Sequence, residues 1–294
     1  MHEGGFKKMQ MKQPAKMTNS YGCKNEYDTL KRVIVCPPTY MKIEEIINET
    51  QKHYADENID ESLASKQHRQ FVECLQKEGV EVIGLSAQEP FPEQVFTRDI
   101  GYTLGDTVIV TKMGSEIRSG EEQVLAEWLQ QQVIPFHQVP DHPIEGGDVL
   151  IDGQAIFIAL SDRTSKEGVE HIQELLPAYE VVPIPIDRSY LHLDCVLNIL
   201  SPTEALVFSP ALHEKELNLL RMKYDLIEVT KEEQFTMGTN VLSIGNQRVL
   251  SLPMNTEVNE ELKKRGYKVI EVDISEIIKS GGSFRCCTMP LERV

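Results

Sequence analysis

The sequence lacks the features that mark several classes of protein. No apolar run approaches the roughly 18 residues of a membrane-spanning helix, and the polar, basic first residues lack the apolar core of a secretion signal. Acidic residues outnumber basic ones by 46 to 30, which gives a net charge of −16. The missing apolar run argues against a membrane partner. The acidic charge argues against a nucleic-acid partner, because phosphate binding requires surplus lysine and arginine.

The six cysteines also lack the arrangements that would give them a structural role. No CxxC pair is present, and no cysteine and histidine residues stand at zinc-ligand spacing. A chain of 294 residues does not need disulfides to stabilise a core. We therefore expect a reducing, cytoplasmic compartment and a protein without a metal or another cofactor.

What the sequence does contain is a globular composition with an internal repeat. Residues 1–18 have no apolar period and predict a disordered arm, which leaves residues 19–294 as a single α/β domain. Two short apolar runs, a helical stretch and a further β-rich run recur along this domain. The repeat is anchored at near-constant intervals of 49, 46, 46 and 46 residues by Asp99, Asp148, Asp194, Asn240 and Cys286.

The fifth unit is incomplete at the C-terminus, and the N-terminal part of the domain supplies what it lacks. The missing pieces are a strand in RVIVCPP, a helix around QHRQFVECLQKEG and a strand in VEVIGL. Repeated units bury their apolar faces against their neighbours. We therefore expect a ring closed by pairing the two ends of the domain, which removes exposed sheet edges. An open solenoid is the alternative, but no polar capping repeat is present.

In a closed ring, the residues that begin equivalent strands converge on one central pocket. These positions carry a thiol, an imidazole and several carboxylates, which together suit attack by a thiolate on an amidine carbon. Each residue also has a structural interpretation. A single cysteine is usually a small buried apolar residue, a single histidine usually serves packing, and Gly-Gly-Asp usually forms a turn.

The motifs VFTRD, EGGDVL, ALSDRT, LHLD and GGSFRCCTMP resemble those of the guanidino-modifying pentein superfamily. This superfamily includes arginine deiminases, agmatine deiminases, amidinotransferases and dimethylarginine dimethylaminohydrolases. The similarity covers roughly residues 25–290. It implies a five-bladed α/β propeller with pseudo-fivefold symmetry, and a small cationic guanidino compound related to arginine as substrate.

The resemblance also implies roles for seven residues. Three would be catalytic: Cys286 as the nucleophile, His192 as the general acid and base, and Glu145 as the carboxylate that orients the imidazole. Four would bind substrate: Asp99 and Asp194 through the guanidinium group, and Arg118 and Arg163 through the α-carboxylate. Neither a metal nor an organic cofactor takes part.

The motifs do not all resemble the same branch of the superfamily. The length and the segment VIEVDISEIIKSGG resemble the dimethylarginine hydrolases, but that branch typically has Glu at the position of Arg98 and Lys at that of Asp194. TRD and HLD resemble arginine deiminases and amidinotransferases instead. The leading hypothesis is a dimethylarginine dimethylaminohydrolase-like hydrolase of a guanidine C–N bond that gives citrulline or a related ureido product. Arginine deiminase activity, amidino transfer and a non-catalytic binding ring are alternatives, and homo-oligomerisation is left open.

Overall fold

The computed structural model describes residues 21–294, so the predicted arm at residues 1–18 lies outside the described residues. Within residues 21–294, fifteen strands form five three-stranded sheets. The sheets comprise β1 (Leu30–Val35), β2 (Glu81–Gly84) and β15 (Met289–Arg293); β3 (Gly101–Leu104), β4 (Thr107–Val110) and β5 (Phe136–Gln138); β6 (Val149–Asp152), β7 (Ala155–Leu160) and β8 (Glu180–Pro185); β9 (Leu197–Ile199), β10 (Glu204–Val207) and β11 (Asp225–Glu228); and β12 (Leu242–Gly245), β13 (Arg248–Ser251) and β14 (Lys268–Glu271).

Four of the sheets share one connectivity. An antiparallel hairpin is followed by a helical crossover to a third strand, which pairs parallel to the second. In the sheet β3–β4–β5, for example, Gly101 is opposite Val110 and Val108 is opposite Phe136. A hairpin needs only a tight turn, whereas parallel strands need a long connection. The predicted mixed α/β repeat is confirmed.

The helices occupy these connections. They are α1 (Glu49–Tyr54), α2 (Glu61–Lys77), α3 (Glu121–Gln131), α4 (Lys166–Leu175), α5 (Glu214–Arg221), α6 (Lys231–Phe235) and α7 (Thr256–Lys264). Side-chain caps set several starts: the Ser165 side chain accepts a hydrogen bond from the backbone N–H of Gly168. Helix α2 begins six residues before the predicted segment, because Asp60 caps it by accepting from the N–H of Leu63. The short helices α1 and α6 were not predicted.

The remaining sheet contains both ends of the domain. Strand β1 pairs antiparallel with β15, with Ile34 opposite Met289, and parallel with β2 on its other side. Backbone hydrogen bonds between Thr29 and Val294 extend the antiparallel contact. The predicted pairing of the N- and C-terminal segments is therefore present.

Apolar side chains pack neighbouring sheets against each other and against their helices. One cluster joins Ile109 of β4, Val149 of β6 and Ile158 of β7 with Val169 and Ile172 of α4. Full burial of one such side chain contributes about 1.5–3 kcal/mol to stability. Within residues 21–294 no helix is both long and apolar enough to cross a bilayer, and the six cysteines are free.

Candidate active site

The five anchors of the repeat lie at the starts of the hairpins and are buried. Hydrogen bonds join each unit to the next. They run from Gly146 N to Asp99 O (3.0 Å), from Leu193 N to Asp148 Oδ1 (2.9 Å), from Asn240 Nδ2 to Asp194 O (3.1 Å), from Cys286 N to Asn240 Oδ1 (3.2 Å) and from Arg98 N to Cys286 O (3.0 Å). The fifth bond returns to the first unit, so the anchors surround a common centre.

A close approach of the backbone explains the double glycine before Asp148. A Cβ atom at Gly147 would lie 2.6 Å from Asp99 Oδ1 and 2.8 Å from the His192 ring. Both distances are too short for a carbon atom, so only glycine lets the 3₁₀ turn Gly146–Asp148 pass this close to the two side chains.

His192 and Glu145 form a tight buried pair. His192 Nε2 lies 2.6 Å from Glu145 Oε2, and the other Glu145 oxygen accepts a hydrogen bond from the backbone N–H of Gly114 at 2.8 Å. Burial disfavours a charged imidazole, but Asp99, the hydrogen bond to Glu145 and the nearby Asp148 outweigh it. Together they hold the pKa of His192 above its ordinary value. The side chain is therefore a proton donor at neutral pH.

Cys286 lies beside an amide and a carboxylate. The Asn240 amide nitrogen is 3.1 Å from the sulfur, and the two Asp194 carboxylate oxygens are 3.5 and 3.7 Å from it. Burial raises the thiol pKa well above its ordinary value, and Asp194 raises it further because a second negative charge nearby is unfavourable. Cys287 is equally buried and its pKa is also raised. The polar contacts, and not burial, thus distinguish Cys286.

A buried charge cluster, absent from the sequence-based prediction, fixes Asp194. Asp194 Oδ2 lies 2.6 Å from a guanidinium nitrogen of Arg285, whose other terminal nitrogen contacts Glu26 at 3.2 Å and the Val149 carbonyl at 2.7 Å. Glu26 also contacts Arg98 at 3.5 Å. Burial opposes ionisation of Glu26, but Arg285 and Arg98 lower its pKa to about 2. Both Asp194 oxygens lie near the Cys286 sulfur, and the bond from Arg285 to Oδ2 sets the orientation of this carboxylate.

Asp99 is held in a similar manner by Arg118. Asp99 Oδ2 lies 2.6 Å from Arg118, whose guanidinium group also forms a paired contact with Glu121. The second Asp99 oxygen, Oδ1, accepts no hydrogen bond from any residue in 21–294, although it is fully buried and lies 3.7 Å from His192 Nδ1. A buried carboxylate oxygen without a partner is costly. It marks a place where a cationic ligand would gain a strong contact.

The two predicted α-carboxylate ligands lie in different surroundings. Arg118 is fully buried and occupied by carboxylates, as described above. Arg163 lies at the edge of the site, 3.9 Å from Glu145 Oε1, and donates to the Ile47 carbonyl at 3.1 Å. It also lines a cavity of about 250 Å³ together with Arg188. The seven predicted residues thus fall into two groups. Asp99, Glu145 and His192 lie together with Arg118 on Asp99 and Arg163 beside Glu145. Asp194 lies with Cys286.

The segment around α1 covers the site, which the sequence did not indicate. The Gln51 amide donates to Glu93 at 2.8 Å and to the Ser280 hydroxyl at 2.7 Å, and Asn48 donates to the Ser280 carbonyl. Burial raises the pKa of Glu93 to about 7 despite the nearby Arg118. In the sequence, the one hint of this contact is that Ser280 directly precedes the Gly-Gly-Ser of the C-terminal motif.

Asp99, Glu145 and His192 could also bracket a metal ion, since one ligand atom from each lies within 4.8 Å of the others. The same three residues are equally suited to proton transfer and to binding an organic cation, because His192 and Glu145 already share a hydrogen bond. The prediction of metal-free chemistry stays a prediction.

Comparison with known proteins decides the family. A family model described as eukaryotic N,N dimethylarginine dimethylhydrolase matches residues 37–293. The chain belongs to this family. The resemblance to the guanidino-modifying pentein superfamily is thereby confirmed.

Individual relatives of this dimethylarginine hydrolase family member align with it over most of its length. The uncharacterized protein YkgA of Bacillus subtilis is 49% identical over 271 residues, which cover 92% of this chain and 95% of YkgA. The N(G),N(G)-dimethylarginine dimethylaminohydrolase of Pseudomonas aeruginosa is 27% identical over 78% of this chain and 89% of its own length. The N-terminal domain of the cyanobacterial arginine dihydrolase ArgZ has the same fold, with a TM-score of 0.82, 24% identity, and coverage of 90% of this chain and 98% of that one.

Proposed function

We propose that the protein hydrolyses a guanidine C–N bond of an arginine derivative through a covalent adduct on Cys286. One observation carries the proposal: the buried carboxylate oxygen Asp99 Oδ1, 3.7 Å from His192 Nδ1, accepts no hydrogen bond from residues 21–294 and would gain one from a cationic ligand. Guanidinium and carboxylate groups match in shape and charge. A closed ring of five blades, which the hydrogen bond from Arg98 N–H to the Cys286 carbonyl supports, would enclose the bound substrate.

The substrate cation would bind between two carboxylates. Asp99 Oδ1 and Asp194 Oδ1, the Asp194 oxygen that Arg285 does not bind, would each accept a hydrogen bond from an N–H of the guanidinium group. Arg118 and Arg285 hold the opposite oxygens of the same carboxylates at 2.6 Å, so neither carboxylate rotates when substrate enters. Pre-oriented acceptors avoid the cost of ordering side chains on binding.

The same arrangement would activate the thiol only when substrate is present. Burial and Asp194 favour the neutral thiol in the free protein. A guanidinium ion between Asp99 and Asp194 adds a positive charge beside the sulfur, and an opposite charge at this range favours the thiolate. The thiol proton would pass to solvent as the substrate binds, and the thiolate would then form a bond to the guanidinium carbon.

His192 would move the protons of the reaction. Its raised pKa keeps it protonated, so it can give a proton to the nitrogen that leaves when the first C–N bond breaks. The S-alkylthiouronium adduct that remains carries the amidine carbon on Cys286. The now neutral His192 takes a proton from water, the resulting hydroxide bonds to that carbon, and the C–S bond breaks to release the ureido product.

The outer part of the substrate would reach Arg163. This residue borders Glu145 on one side and the cavity of about 250 Å³ on the other, so it can bind an α-carboxylate while the guanidinium group lies inside. The contacts of Gln51 with Glu93 and Ser280 would close over the bound molecule and exclude solvent. We propose that Arg118 mainly orients Asp99. Its binding of the α-carboxylate stays a prediction.

Hydrolysis of unmethylated arginine is the second candidate, and the acidic residue at position 194 favours it. Each methyl group on a terminal nitrogen removes an N–H that Asp194 could accept. A carboxylate here therefore gains more from arginine or monomethylarginine than from asymmetric dimethylarginine.

A substrate panel tests the proposal. Purified protein is incubated with asymmetric dimethylarginine, monomethylarginine, arginine or agmatine, and both the ureido product and the released amine are measured. The released amine identifies which C–N bond breaks, and Cys286→Ser protein is the control. Added glycine distinguishes amidino transfer, because it would yield an amidino-glycine and less ureido product. Absence of any product with all four compounds would contradict the proposal and favour a non-catalytic binding ring.

A further inference from the structure

Two cysteine thiols contact the same carboxylate oxygen. Cys286 Sγ lies 3.7 Å from Asp194 Oδ1, and Cys195 Sγ lies 3.8 Å from that same atom. The distance between the two sulfur atoms therefore cannot exceed the sum of these two distances. After Asp194, Cys195 is the neighbour that most raises the pKa of Cys286, ahead of Asp99, which agrees with a short separation.

Cys195 also lies on the solvent side of this pair. It lines a cavity of about 330 Å³, together with Leu191, Met237 and Gly281. Of the other buried thiols, Cys23 contacts the carbonyl of Pro290 and Cys36 that of Pro37, whereas Cys287 directly follows Cys286 in the chain. A small oxidant in this cavity would meet Cys195, whose neighbour Asp194 also contacts Cys286.

We propose that Cys195 is a resolving thiol that traps oxidised Cys286 as a reversible Cys195–Cys286 disulfide. Hydrogen peroxide first oxidises the Cys286 thiol to a sulfenic acid and is reduced to one water molecule. The Cys195 sulfur then bonds to the Cys286 sulfur, the S–O bond breaks, and the hydroxyl group leaves with the Cys195 proton as a second water. Two thiols lose two electrons and two protons in total.

The disulfide would protect the protein at the cost of a temporary loss of activity. A sulfenic acid without a nearby thiol is oxidised further to sulfinic acid, which ordinary thiols do not reduce. Bond formation brings the sulfur atoms to about 2.05 Å and thus draws both away from Asp194. Cys286 is then unable to attack a substrate until a dithiol restores it.

Peptide mapping under non-reducing conditions tests the inference without reference to any enzymatic activity. The full-length Cys287→Ser protein is treated with hydrogen peroxide, alkylated and digested with trypsin. The cleavage sites place Cys195 in the peptide of residues 189–215 and Cys286 in that of residues 286–293. We expect these two peptides to appear as one disulfide-linked species that dithiothreitol separates. Wild-type protein serves as a folded reference, in which the linked species should also form.

Cysteine variants test whether the disulfide protects Cys286 from further oxidation. In Cys195→Ala protein the linked species should be absent, and Cys286 should accumulate as sulfinic acid several times faster than in the matched Cys36→Ala control. Cys36→Ala protein should form the bridge like wild type. Three results would overturn the inference: no linked species in any protein, a bridge between Cys286 and Cys287 in wild type in place of the expected one, or equal sulfinic acid formation in the Cys195→Ala and Cys36→Ala proteins.

Discussion

Replacing Asp194 by Asn separates its two effects on the site. The Asp194 side chain is fully buried, with Oδ2 2.6 Å from Arg285 and the two oxygens 3.5 and 3.7 Å from the Cys286 sulfur. Asn keeps the shape but removes the charge, so the bound guanidinium loses a charge-assisted hydrogen bond worth about 1.5–3 kcal/mol. At about 1.4 kcal/mol per factor of ten, kcat/KM for arginine should fall about tenfold to more than a hundredfold.

The same substitution should make the free thiol more reactive. Asp194 raises the pKa of Cys286, and without its charge the positive Arg285 acts on the sulfur with less opposition. The pH dependence of Cys286 alkylation by iodoacetamide should therefore shift to lower pH, although turnover falls. A general disturbance of the site would not move these two readouts in opposite directions.

Stability has to be controlled, because removal of one partner from a buried ion pair costs about 3–5 kcal/mol. Urea unfolding of Asp194→Asn identifies conditions in which it is fully folded. The triple variant Asp194→Asn, Arg285→Met and Glu26→Gln removes the three charges together and should regain part of the lost stability without regaining activity. A folded Asp194→Asn protein with wild-type kcat/KM would refute the reasoning, and so would a wild-type protein that prefers asymmetric dimethylarginine over arginine by a wide margin.

Three further predictions concern the remaining residues of the site. Glu145→Gln should lower the pKa of His192 by removing a charge that supports the imidazolium, so the alkaline limb of the kcat/KM profile should move to lower pH; an unmoved limb would contradict the pairing. Cys286→Ser should abolish turnover while Cys287→Ser keeps most of it, and labelling of Cys287 by a haloacetamidine would reverse this assignment. Exhaustive chelation should leave activity intact even though Asp99, Glu145 and His192 could hold a cation, whereas loss of activity with recovery on adding one metal would disprove metal-free chemistry.

The repeat made the fold predictable to an unusual degree. Hairpins recur at a fixed period, so the anchors could be aligned without structural information, and the strand in RVIVCPP could be paired with the end of the chain. Sheet pairing of Leu30–Val35 with Met289–Arg293 confirms that step. The helix starts were less predictable because they depend on single capping side chains: Asp60 moved the start of α2 to Glu61.

The site was predictable where the motif itself carries the chemistry and not where distant segments meet. His192 and Glu145 are 47 residues apart, near the repeat period, and they contact each other as expected. Glu26 and Arg285 are 259 residues apart and have no periodic relation, so their contact could not be read from the sequence. Gln51 comes from the connection that completes the fifth unit, which follows no repeat.

The five anchors occupy equivalent positions, and their chemical differences create the site. Asp99, Asp148 and Asp194 carry carboxylates, whereas the next position carries the neutral Asn240 directly beside Cys286. A further carboxylate at 3.1 Å from the sulfur would raise the thiol pKa further and oppose thiolate formation even with a cation bound. An amide instead donates a hydrogen bond to the sulfur, which favours its anionic form. Under the proposed mechanism, equivalent positions of the repeat thus do different chemistry: the proposed nucleophile adjoins one carboxylate and one donor, and the paired His192 and Glu145 would transfer the protons.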